Sequence, residues 1–257
     1  MIDENSGKIY GFQLISDLGY AFGEILDYSD VSGIFITVND YFCSKNDRPN
    51  INKIINSPKL FGPERIHRLP NTRGKESWKY IGKNENYSRK YPSFKFNKDN
   101  SDVLDWAKLK NYRKVTGYGL NEKSYELPYE EIRHLPEKMI RHKNIIPMKI
   151  SIMRLLQLGR NVYKYYNFTE LDNRTIYLEV INTYYPKLKA DELINELREF
   201  HFRKMKELLN EGKNVFDYFE VWDIVNARIF KDTVHELYSK EKAEELVKEM
   251  ELLKTEK

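Results

Sequence analysis

The sequence predicts an α+β protein. An N-terminal β-rich small barrel or bent antiparallel sheet, residues 1–122, is followed by an all-α helical region, residues 123–257. Three observations lead there. Apolar residues alternate with period two in the first half and recur at steps of three and four in the second, the change falling near Asn121–Glu126. Gly, Pro, Asn and Asp also punctuate the first half at short intervals, as many short strands require.

The strands are read in order. Lys8–Ile15 alternates well enough for a first strand, and a turn at Ser16–Gly19 makes it a hairpin with Gly19–Asp27. A turn at Tyr28–Ser29–Asp30 leads to a third strand, Ser32–Val38. Lys45–Pro63 reads as loop with a short helical turn around Ile51–Ile55. Further short strands are expected at Ile66–Leu69, Ser77–Lys83, Phe94–Asn97 and Tyr112–Tyr118, with Pro92 starting an extended piece or limiting an edge. In the second strand Tyr20, Phe22 and Glu24 share one face, and Ala21, Gly23 and Ile25 the other. Two small residues on one face admit a close neighbour or a bend.

The helices are read from apolar spacing. Tyr129–Ile140 is a short one interrupted by Pro136. Met148–Tyr166 follows Pro147, a residue suited to a first helical turn. Thr169–Tyr184 carries Ile176, Val180 and Ile181 and stops at Pro186. Asp191–Leu209 places Leu193, Leu197, Phe200 and Leu208 on one stripe and stops at Gly212. Tyr218–Leu237 aligns Tyr218, Trp222, Val225 and Ile229, and Lys240–Lys254 repeats Ala243, Leu246, Val247, Met250 and Leu253 between solvated Lys and Glu.

Composition narrows the function classes. The chain of 257 residues is 40% hydrophobic and 32% charged, which fits a folded, soluble protein. A net charge of +4 is too mild to imply nucleic acid by itself. A single cysteine, Cys43, excludes an intramolecular disulfide and is read as structural at a strand end. The polar N-terminus has no apolar signal core, and no run is long enough for a membrane span, so a cytoplasmic protein without a membrane partner is expected.

A search for chemistry yields no catalytic set. No two of the five histidines stand at the three-to-five spacing that would put both on one metal from one helix; His134 and His142 are separated across Pro136. His201, beside Arg203 and Lys204, is read as a surface or interface residue. There is no Gly-Lys-Ser/Thr phosphate loop, and Gly117–Gly119 is too short for a dinucleotide fingerprint. The expectation is no catalytic residue, no metal and no cofactor. One stretch, 64–90, interleaves basic residues with Trp78, Tyr80 and Tyr87, a pattern that can neutralise phosphates and stack on bases. Arg73, Lys75 and Lys79 would carry that reading. The simpler account, which we favour, is a basic loop beside a strand whose Trp78 faces the core.

The segment GFQLISDLGYAFGEIL, Gly11–Leu26, resembles the opening hairpin of a bacterial polymorphic-toxin immunity family, the one numbered twenty-six. Gly19, Tyr20, Ala21, Phe22, Gly23 and Ile25 match its second strand, and Trp78–Phe96 resembles its later Gly, Pro and aromatic–Lys block. The opening Gly-Asp of that family is Gly7–Lys8 here, its first-strand proline is replaced near Gln13, and Glu24 stands where a basic residue is expected. The resemblance covers roughly the first 120 residues, a span of ordinary domain size. It implies that residues 1–122 form an immunity-like domain that binds a cognate protein toxin and occludes its active site, without catalysis. Tyr20, Phe22, Glu24, Trp78 and Tyr80 are the expected partner-binding residues. The alternatives are a nucleic-acid binder using 64–90 and a small-barrel ribonuclease with a helical extension.

Overall fold

Six strands form an open, bent sheet in the order β5-β1-β2-β3-β4-β9. They are β1 (Lys8–Gln13), β2 (Tyr20–Ser29), β3 (Gly33–Cys43), β4 (Lys59–Ile66), β5 (Lys79–Lys83) and β9 (Ile140–Arg141). Neighbours pair antiparallel except β4 and β9, which run parallel. A separate antiparallel sheet joins β6 (Lys95–Lys98), β7 (Arg113–Thr116) and β8 (Lys123–Glu126). This computed structural model describes residues 4–29, 33–67, 78–87, 95–98, 113–116, 123–126, 140–142, 144–220 and 223–255. The helix expected over Tyr129–Ile140 lies outside the described residues up to Ile140, which is in β9.

The first sheet bends without closing, so of the two expected forms it takes the open one. Register shifts interrupt β1/β5, β2/β3 and β3/β4, and each adds local twist. The hairpin turn depends on Gly19, whose φ is +82°; a Cβ there would stand 2.1 Å from the Cys43 carbonyl oxygen. Gly23 answers to crowding. A Cβ on it would meet Ile36 Cδ1 at 2.6 Å, so the small face of β2 is where Ile36 closes in.

The two faces of the sheet are covered by different helices. Helix α1 (Ile51–Asn56), capped by Asn50 accepting from the Lys53 N–H at 3.1 Å, sets Ile54 against Ile9 and Phe22. Helix α2 (Ile145–Gln157) takes the other face: its Lys149 is ion-paired with Glu64, which lies opposite Ile36 in the ladder, and its Arg154 sits 4.4 Å over the Phe42 ring. The Ser151 hydroxyl accepts from the Ile15 N–H at 3.1 Å, which fixes the end of the first hairpin strand. Trp78 packs on Phe12 with ring centroids 4.5 Å apart.

The chain divides into two compact units, the first ending at Val162 and the second containing Tyr163–Lys257. The second unit is helical: α3 (Leu171–Tyr184), α4 (Lys187–Asn210), α5 (Ile224–Leu237) and α6 (Lys240–Thr255). Met205 and Leu208 of α4, Ala227, Phe230 and Val234 of α5, and Ala243 and Met250 of α6 form one core. A second cluster packs Phe168 between Tyr163 and Tyr177, with Phe200 stacked on Tyr163 at 4.5 Å.

Several sequence expectations need correction. Helix α2 stops at Gln157, leaving Leu158 49% exposed, rather than running to Tyr166. The expected helix from Tyr218 begins only at Ile224. Tyr218 follows a 3₁₀ turn, Val215–Asp217, and is 46% exposed, because Asp223 caps α5 and so fixes its start. Lys59–Ile66 is a strand where a loop ending at Pro63 was expected.

Candidate functional site

The expected partner-binding residues separate on burial. Phe22, Glu24 and Trp78 are 1%, 3% and 2% exposed, so they offer no surface to a partner. The alternation read for Tyr20, Phe22 and Glu24 is present, but α1 covers that face, and Tyr20 is half-buried against the same cluster. Tyr80 is the outward residue of the set, 48% exposed.

Tyr80 sits on β5, at the edge of the sheet order, directly opposite Tyr10 of β1. The two rings meet edge-on, centroids 5.8 Å apart and planes at 65°, so Tyr80 is exposed and yet held in one orientation. Burial first, and then the Tyr80 phenol, push the Tyr10 hydroxyl above its ordinary value. Lys79, also exposed, lies opposite Gly11 and therefore projects from the other face of β5. Base stacking on Tyr80 and phosphate contact by Lys79 would thus have to be made from opposite sides of the edge. Arg73 and Lys75 lie outside the described residues.

Glu24 forms the centre of a polar cluster inside the sheet unit. Lys59 donates to Glu24 Oε2 at 2.5 Å and to Asn39 Oδ1, while Asn84 Nδ2 donates to Glu24 Oε1 at 2.9 Å. These contacts hold β2, β3, β4 and the turn after β5 together. The Tyr87 hydroxyl, donating to the Leu26 carbonyl, adds a second tie from the same turn. This carboxylate has a structural task, which explains an acid where a basic residue was expected.

A second polar cluster lies wholly within the helical unit, and sequence reasoning missed it. Arg174 of α3 is 1% exposed, is ion-paired with Asp223 and donates from Nη1 to Asn226 Oδ1 at 3.0 Å. Asp223 also accepts from the Val225 and Asn226 N–H groups at 2.9 and 3.3 Å, capping α5. His201 of α4 is 1% exposed, not at a surface, with Nε2 at 2.9 Å from the Phe168 carbonyl oxygen. Burial, and then the Arg174 charge, push His201 down to about 4, which keeps it neutral at physiological pH. Burial lowers Arg174 to about 10, leaving it charged there. A signal was present: Asp223 just before the apolar Val225 and Ile229 is a helix-start pattern.

Among the described residues no group of three or more His, Cys, Asp or Glu could hold a metal ion, and no helix is long and apolar enough to cross a membrane. In comparison with known proteins, no family model matches the chain, and neither a curated protein nor a solved structure shows significant similarity to it.

Proposed function

We propose that this chain is a non-catalytic binding protein, an immunity protein that neutralises a cognate bacterial toxin by covering its active site. The reading starts from the hairpin resemblance at Gly11–Leu26 and rests on one structural observation: Tyr80 is nearly half exposed while its ring is pinned against Tyr10. An aromatic that is both accessible and pre-oriented loses little freedom on binding and is the residue type that anchors interfaces. In this reading the sheet unit grips the toxin around the β5 edge. Phe22, Glu24 and Trp78 support that edge from inside.

The test is co-purification and co-expression with the product of the neighbouring gene. The full chain is expected to bind it and to rescue growth, and Tyr80→Ala to weaken binding by about 2 kcal/mol, a hot-spot-sized loss, without unfolding the chain. A toxin equally lethal with and without this protein would end the proposal. Binding of single-stranded nucleic acid that weakens steeply with salt and is lost on charge reversal at Arg73, Lys75 and Lys79 would instead support the nucleic-acid reading.

A further inference from the structure

Lys8 and Lys83 stand directly opposite each other where β1 pairs with β5. Like charges in that position repel across the ladder and cost stability. Among the described residues no ion pair relieves them. Lys8 Nζ donates to Asn5 Oδ1 at 2.7 Å, and Lys83 Nζ to the Glu4 carbonyl oxygen at 3.3 Å. Both ammonium groups therefore lean on one short segment, and both acceptors are neutral. The exposed carboxylates of Glu4 and Glu85 pair with neither. The pair also shares a face with the exposed ring at this edge. Lys8 and Tyr10 are two apart on β1 and so point the same way. Their partners are Lys83 and Tyr80, three apart because the register shift adds one residue to β5. The outcome is an accessible tyrosine, 48% exposed, beside two half-buried cations that lack an anion.

We propose that the partner protein meets this face with an acidic surface, and that one of its carboxylates is seated between Lys8 and Lys83 while Tyr80 packs beside it. The inference rests on the reading of the β5 edge as the toxin-binding surface and adds the chemistry of what that edge meets. A bridging carboxylate turns a repulsive pair into an attractive trio, and complementary charge speeds encounter. A nucleic-acid strand fits less well. It needs cations strung along a track, with rings free to stack. Here the two lysines sit at one point, Tyr80 is held edge-on against Tyr10, and Lys79 projects from the opposite face.

The experiment measures association and dissociation of the full chain with the purified product of the neighbouring gene, at low and at high salt. Lys83→Met should weaken binding roughly tenfold, the loss of one charge-assisted contact. Lys83→Glu should weaken it further, mainly by slowing association, and salt should narrow the difference. The free chain should respond in the opposite sense. In Lys83→Glu the melting temperature should rise by about 1–3 °C, because a carboxylate there attracts Lys8. A residue with only a structural role would move stability and binding together. Lys53→Glu, on exposed α1, makes the same change in net charge and should shift binding far less. If the unaltered chain binds and Lys83→Glu binds as tightly, this proposal is overturned while the broader reading stands; if the unaltered chain does not bind, both fall. An equal loss in Lys53→Glu, or a lowered melting temperature in Lys83→Glu, also overturns it. So does tighter binding of a single-stranded oligonucleotide that Lys83→Glu abolishes, which would give the lysine pair to phosphates.

Discussion

The sheet unit and the helical unit each bury an ion pair, and they use it differently. Glu64–Lys149 joins β4 to α2, with both side chains 3% exposed or less and Glu64 Oε2 lacking a hydrogen bond. It is a strut between two elements. Arg174–Asp223 sits in a network in which Asp223 also starts a helix and Arg174 also holds Asn226. Desolvation makes any buried pair a weak net stabiliser, but removing one partner strands the other. The difference teaches that the value of a buried charge depends on how many other tasks its partner performs.

The largest expected effect is Asp223→Ala. It strands Arg174 and uncaps α5 together, so a loss of about 4 kcal/mol is expected, read as a shift in the urea midpoint. An unmoved midpoint would break the comparison on the helical side. Lys149→Met should cost about 3 kcal/mol by leaving Glu64 uncompensated. Adding Glu64→Leu should recover most of that, because neither residue caps anything. The matching double, Arg174→Leu with Asp223→Leu, should not recover, since the α5 N–H groups stay unmet. Equal recovery in both units would erase the distinction.

Acid sharpens the contrast next. The folded-state value of His201 lies below its ordinary 6.5, at about 4. The unfolded chain therefore binds the extra proton over that interval. Stability is full above about pH 6.5 and falls by about 3 kcal/mol as pH drops to about 4. In His201→Gln the unfolding free energy should lose this part of its pH slope, and identical slopes would show that His201 does not titrate as described. The smallest effect belongs to the surface. Asp17 is held down to about 2, chiefly by its hydrogen bond from Arg160, in an exposed bidentate pair. Asp17→Asn should shift the melting temperature no more than repeat scatter in high salt, where such pairs are screened.

Periodicity made β1, β2, β3, α1 and most of the helices legible, because one face of each is buried. It hid β4. Gly62 and Pro63 read as loop signals, yet both lie between Phe61, opposite Val38, and Glu64, opposite Ile36, where the ladder shifts register. A bulge tolerates a proline that a regular ladder would not. The two-residue β9 is too short to show a period. Of the candidate surface, alternation along β2 was legible, but which face α1 would cover was not. That is a tertiary fact, and it moved Phe22 and Glu24 from contact residues to interior ones. His201 and Arg174 look like solvent-facing side chains until their partners, the Phe168 carbonyl in a turn and Asp223 and Asn226 at the start of α5, come together.

The parallel pairing of β4 with β9 has a consequence for anyone dissecting this chain. The change of period near Asn121 is an inviting place to cut, but a fragment ending there would lack the strand beside Arg65 and Ile66, and also Lys149, which is 85 positions from its acid. The nascent sheet therefore lacks its last strand until Arg141 has been synthesised, and the cation that pairs Glu64 until Lys149 has. Excision after Val162, where the first compact unit ends, is the way to obtain a front piece that keeps α2 and the Arg160–Asp17 pair.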